Sequence, residues 1–191
     1  MLAIALVDYD NSIYSQEKSE ADVGYNLSLL IPFLAKFARE RLGRVDELRV
    51  LLYGGWIIET GAYSDRAQWI LASIGRFRGR RNGVRILPSI VTALAIRPSD
   101  NLLGSYRVTT IPRRQKMVDC MIAVDALYFS RVEDASLIIV SDDDDLVPAL
   151  IALRANTAQS VSLLRKRAKG TGLNDLLLAE LEIEFGSLPE D

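Results

Sequence analysis

Leu2-Ala3-Ile4-Ala5-Leu6-Val7-Asp8-Tyr9-Asp10-Asn11 decides the fold. A short, unbroken apolar run that ends abruptly in acids reads as a strand buried on both faces, as the strands of a parallel sheet are. A helix is expected next. Between Tyr25 and Leu42 the apolar positions Leu27, Leu30, Ile31, Leu34, Ala38 and Leu42 mostly keep helical spacing, with Gly43 as the stop. The alternation then repeats. Strand-like Glu47–Tyr53 is followed by helix-like Ser64–Phe77, a β-branched stretch Val84–Ile96 interrupted by Pro88, and helix-like Arg113–Phe129. Strand-like Ser136–Ser141, helix-like Leu146–Ala155, strand-like Ser160–Arg165 and an apolar-periodic Leu173–Leu181 complete it. Five such alternations predict a three-layer α/β fold with a mostly parallel sheet. Ser12–Asp22 and Arg97–Pro112 read as the long loops, the second long enough to suggest a functional segment.

Composition narrows the chemistry. The 191 residues include no histidine and one cysteine, so Ser-His-Asp and Cys-His catalysis, an HExxH zinc site and an imidazole base are excluded. Carboxylates, Lys, Tyr or metal ions remain. The length suits a single domain over 1–191, with a short acidic C-terminal tail from about residue 182. Cys120 cannot form an internal disulfide and reads as a small buried apolar residue in a reducing compartment. The apolar N-terminus lacks a basic flank and is too short for a signal peptide, and no run approaches the roughly 20 residues of a membrane span. A soluble, cytoplasmic protein is expected.

Open parallel sheets carry their sites at the carboxyl ends of the strands. Acids stand there twice: Asp8-Tyr9-Asp10-Asn11 after the first strand, and Ser141 followed by Asp142, Asp143, Asp144 and Asp145 after the fourth. Acids in a first helical turn complement the helix dipole without any function. Four in a row, with a second acidic strand end, exceed that need and suggest hard oxygen ligands for Mg²⁺ or Mn²⁺. Asp119 opens a helix on the same edge, one turn after Lys116, whose ammonium could sit beside it or reach a phosphate. Asp125 falls on the apolar stripe Val118, Met121, Ile122, about 9 Å along the helix from Asp119. It reads as a buried, hydrogen-bonded structural acid.

These segments together resemble the NYN domain, a branch of the PIN-like nuclease superfamily. Val7–Asn11 (VDYDN) resembles its Asp-x-x-Asn motif after strand one, Lys116–Leu127 (KMVDCMIAVDAL) its Lys-x-Val-Asp helix, and Ser141–Pro148 (SDDDDLVP) its Ser-Gly-Asp-x-Asp-Phe-x-Pro motif. Asp142, Leu146 and Asp10 depart from the family pattern, where Gly, Phe and a small residue are usual. The resemblance implies a Rossmann-like five-stranded sheet of order 3-2-1-4-5. It also implies RNA phosphodiester cleavage by a metal-activated water, with Asp8, Asp119, Asp143 and Asp145 as metal-binding acids and Asn11 supporting them. Clustered carboxylates holding divalent ions would remove the need for a histidine base.

An RNA substrate needs cations beside such a site. They fall in three stretches: Arg76, Arg78, Arg80, Arg81 and Arg85; Arg107, Arg113, Arg114 and Lys116; Arg165, Lys166, Arg167 and Lys169. Arg113, Arg114 and Lys116 lead into the site helix and are the expected substrate contacts, together with Ser141. Tyr9, Tyr106 and Trp56 are candidates for base stacking, although aromatics at strand ends more often serve packing. Two other classes compete. A haloacid-dehalogenase-like phosphatase would use Asp8 as nucleophile and Asp10 as acid, and a non-catalytic nuclease-like module would bind RNA or a protein without cutting. Exposed helix faces could also support a homodimer.

Overall fold

A computed structural model describes residues 1–12, 17–58, 60–92, 95, 118–166, 178, 181 and 183–188. At its centre is β1 (Leu2–Asp8), buried on both faces from Ala3 onward. It pairs in parallel with β2 (Glu47–Tyr53) on one side and β5 (Ser136–Val140) on the other. Outside β2 lies β4 (Val84–Ile90), outside β5 lies β6 (Val161–Arg165), and both pairings are parallel. These five strands are the expected order 3-2-1-4-5. Two more extend the sheet to seven, in the order β3-β4-β2-β1-β5-β6-β7. β3 (Gly79–Arg81) is antiparallel to β4, and β7 (Glu184–Ser187) is parallel to β6. The stretch past residue 182, expected as a tail, thus supplies an edge strand.

Alternation along β1 sorts the core into two layers, because successive side chains of a strand face opposite sides. Ala3, Ala5 and Val7 join the cluster under α2 (Glu20–Arg41) and α3 (Asp65–Ile74). Ile4 and Leu6 join the cluster under α4 (Val118–Val132) and α5 (Val147–Asn156). In α2 the buried stripe Val23, Leu27, Leu30, Ile31, Leu34 and Ala38 keeps the i, i+4, i+7 spacing of a helix lying on a sheet.

Boundaries moved where caps act. α2 begins at Glu20 rather than Tyr25, because Ser19 accepts a hydrogen bond from the Asp22 N–H at 3.2 Å and Asp22 accepts one from the Lys18 N–H at 2.9 Å. Ser64 caps α3 in the same way, on the Ala67 N–H. Pro88 does not interrupt β4: it lies opposite Val50, beyond the reach of β3, which pairs only as far as Ile86. A proline is tolerated on such an open strand side. Cys120 is exposed, not buried, because α4 buries Val118, Met121, Ile122, Asp125, Ala126 and Phe129, and position 120 lies off that stripe. Residues 96–117, which include the whole second long loop, lie outside the described residues, as does most of Leu173–Leu181.

Candidate active site

Strand order reverses direction at β1: β2 lies to one side and β5 to the other, leaving a crevice at their carboxyl ends, the place where open α/β sheets put ligands. Asp8 ends β1 there. It is fully buried, and its carboxylate is held on both oxygens. The backbone N–H of Asn11 donates to Oδ1 at 3.2 Å, and the Asn11 amide donates to Oδ2 at 3.0 Å. The Ser141 hydroxyl also donates to Oδ2, at 3.1 Å. The turn that brings Asn11 back is α1 (Tyr9–Ser12), one helical turn at the strand end. Burial lifts the Asp8 pKa from 3.8 to about 6; the Asn11 N–H opposes the rise and the nearby Asp119 charge adds to it.

The four-aspartate run divides by parity. Asp143 is extended and caps a 3₁₀ turn, Asp144–Leu146, by accepting the Asp145 N–H at 2.9 Å. Its own N–H donates to Ser141 Oγ at 3.1 Å, and the Asn11 amide reaches its Oδ2 at 3.4 Å. Asp142 and Asp144 turn the other way: Asp142 accepts the Lys166 N–H and Asp144 accepts the Arg165 guanidinium, each at 2.8 Å. So the end of β6 holds two of the four acids aside, leaving Asp143 and Asp145 on the crevice side.

From the other face comes Asp119, in the first turn of α4. Burial raises its pKa, and the charges of Asp143 and then Asp145 raise it further. Its Oδ1 is buried without a hydrogen-bond partner among the described residues. Asp8, Asp119, Asp143 and Asp145 therefore share one electrostatic environment, although they come from three separate segments of the chain. Among the described residues the donor set is all hard oxygen, the surplus is negative and one buried oxygen lacks a partner, which fits a hard divalent cation. Among the described residues no three acids stand close enough to form a ready cage. Mg²⁺ does not need one, since it keeps several waters and binds through one or two carboxylates plus substrate phosphate.

Several expectations change. Ser141, expected to meet substrate, is fully buried with its hydroxyl spent between Asp8 and the Asp143 N–H, so it positions two carboxylates. Asp10 is not an open acid for a phosphatase. Its Oδ1 takes the Arg66 guanidinium and its Oδ2 accepts the Gly55 N–H at 2.8 Å. Asp125 is buried, accepting the Tyr53 hydroxyl at 2.8 Å and the Ala95 N–H at 2.7 Å. Tyr9 and Trp56 are buried against each other, ring centroids 5.8 Å apart, and cannot stack on a base.

The Arg76–Arg85 stretch does not flank the acids. Arg85 lies level with Glu47, and Glu47 with Leu2, at the amino end of the sheet. Arg107, Arg113, Arg114, Lys116, Arg167, Lys169 and Tyr106 lie outside the described residues.

Sequence reasoning missed Arg66 and Glu17. Arg66 Nε donates to Glu17 Oε2 at 2.7 Å, its guanidinium lies over the Tyr9 ring, and Glu17 Oε1 accepts the Tyr9 hydroxyl and the Asn26 amide. Together with Asp10 they tie α1 to the starts of α2 and α3. No local spacing announces such a network, because its members are up to 56 residues apart.

A family model described as NYN domain matches residues 3–172. No curated protein and no solved structure matches the chain significantly. Among the described residues, no helix is long and apolar enough to cross a membrane.

Proposed function

The chain belongs to the NYN domain family, a branch of the PIN-like nuclease superfamily, and on that premise we propose that it is a metal-dependent endoribonuclease. The observation that carries this reading is Asp119: a carboxylate whose buried Oδ1 has no partner among the described residues, and which also feels the charges of Asp143 and Asp145 and acts on Asp8. A surplus of negative charge around an orphaned oxygen is what a cation would offset. Asp119, Asp143 and Asp145 would hold Mg²⁺ or Mn²⁺, with Asp8 behind them. A divalent ion bound there supplies an activated water at neutral pH and offsets charge developing on the phosphodiester.

The protein's own groups set the stage. Asn11 and Ser141 fix the Asp8 carboxylate, and Ser141 ties it to the Asp143 backbone. With a pKa of about 6 in the metal-free chain, Asp8 is ionised at neutral pH, as a ligand or proton acceptor must be. Arg165 and the Lys166 N–H hold Asp144 and Asp142 away from the incoming phosphate. Arg113, Arg114 and Lys116 precede α4 in the chain and would contact the RNA backbone.

The purified chain, incubated with labelled RNA, should cut internally with Mg²⁺ or Mn²⁺ and not with a chelator. Asp143→Asn should lower cleavage by roughly a hundredfold or more, the scale of losing a charge that stabilises the transition state. Equal cutting by the variant would identify a contaminating nuclease. No cutting by the wild type with either ion would leave a non-catalytic binding module as the better reading.

A further inference from the structure

The nuclease site leaves the β3–β4 hairpin unused, and its charge is unusual. Between Asp65 and Asp100 the sequence contains no acidic residue, while Arg76, Arg78, Arg80, Arg81 and Arg85 fall within ten positions. The turn is tight: Asn82 and Gly83 both have positive φ, at 51° and 86°, as a two-residue hairpin turn requires. Arg80 and Arg85 are direct cross-strand partners. Like charges in that relation repel and destabilise a hairpin. Arg85 has Glu47 at 3.4 Å, but Arg78, Arg80 and Arg81 form no salt bridge among the described residues. The other acid nearby, Asp46, is bonded to the N-terminal amine and paired with Arg44, and feels Arg80 only as a weaker, unbonded charge. Arg76 folds back on Ser73 and is not part of the cluster.

We infer that Arg78, Arg80, Arg81 and Arg85 form a second phosphate-backbone contact for RNA, remote from the site of cleavage. The nuclease reading is used here only to choose RNA as the polyanion. Glu47 offsets Arg85 and the charge of Asp46 reaches Arg80, but among the described residues no carboxylate bonds to Arg78, Arg80 or Arg81, so a polyanion would relieve the repulsion that remains across the Arg80–Arg85 pair. A membrane surface fits less well: Phe77 is buried, with the Arg81 guanidinium 5.7 Å from its ring centroid, and no large apolar side chain of the hairpin is exposed. Membrane-surface segments present such side chains to the lipid. Six strand residues separate the level of Arg85 and Leu2 from that of Asp8, about 20 Å at roughly 3.3 Å each. An A-form RNA duplex of about seven base pairs spans that distance.

The test uses the full chain in chelator, so that binding is read without cleavage. Anisotropy of a labelled duplex RNA of about 20 base pairs is followed between about 50 and 200 mM salt. The triple variant Arg78→Ala, Arg80→Ala, Arg81→Ala should bind at least about tenfold more weakly, and its slope of log affinity on log salt should fall by about 2 to 3. Arg80→Glu separates binding from folding. It creates an opposite-charge pair with Arg85, so the variant should melt no lower than wild type and still bind RNA more weakly. Unchanged affinity and slope in both variants overturns the inference. So does binding of the wild type to phosphatidylserine vesicles but not to RNA, with loss in the triple variant. Because cleavage is not read, an inactive chain that binds through the hairpin refutes only the nuclease reading. An active chain indifferent to both variants refutes only the hairpin.

Discussion

Asp8 carries the largest consequence that follows from one side chain. Its pKa of about 6 in the folded chain stands above its ordinary 3.8, so the folded state prefers the neutral acid. Between those values the native state binds more protons than the unfolded chain, and stability falls as pH rises through that window. Above about pH 6 the cost is complete, on the order of 3 kcal/mol at about 1.4 kcal/mol per pH unit. Asp119 and Asp125 are raised too and act in the same direction, while Asp22 and Asp46 are lowered and act against them from exposed positions. Thermal melts of the metal-free chain from pH 4 to 7 should therefore slope downward with pH, and Asp8→Asn should flatten that slope. The slope is the readout rather than absolute stability, because an asparagine amide at this position would face the donors of Asn11 and Ser141. An unchanged slope in the variant would mean that Asp8 titrates normally.

Among the elements, β7 depends on one close approach. A Cβ at Gly186 would collide with the Leu164 side chain and come within 3.2 Å of Phe37 Cε2, so β6, β7 and α2 meet over a residue with no side chain. Gly186→Val should cost about 1 to 3 kcal/mol by overpacking. In a chain of this length that is roughly 2 to 12 °C of melting temperature. A variant that melts with the wild type would show that β7 is not packed as described. Element identity was largely legible in the sequence. The Glu47–Tyr53 strand and the Ser64 start of α3 stand where pattern and cap place them, because a period-2 or period-3.6 stripe is a local property of the chain. The edge strands were not legible. β3 has three exposed residues, and β7 is short and lies in an acidic stretch, so neither carries a hydrophobic period, and pairing alone makes them strands.

At the scale of the whole molecule, Asp8, Asp119, Asp143 and Asp145 gather at the crevice among the described residues, while Arg80, Arg81 and Arg85 lie at the opposite end of the sheet, a contrast that a net charge of −2 conceals. A cation that binds the folded crevice should stabilise the chain by about 2.7 kcal/mol at a hundredfold excess over its dissociation constant, or roughly 5 to 10 °C. Differential scanning fluorimetry with Mn²⁺ should show the shift in wild type and lose most of it in Asp143→Asn. Equal shifts in both would place the cation elsewhere. The sequence by itself determined the parallel α/β architecture, since continuous apolar strands between amphipathic helices bury their surface well only in three layers. It also excluded imidazole chemistry, leaving carboxylates, Lys, Tyr or metal ions, since it supplies no histidine. Only the tertiary structure decided which carboxylates share the crevice. Asp8, Asp119 and Asp143 come within electrostatic reach because β1 and β5 end, and α4 begins, at one switch point, while Arg66 and Arg165 draw Asp10 and Asp144 away. A charge's partners are set by distance in space, and sequence spacing does not encode that distance for residues more than a turn or two apart.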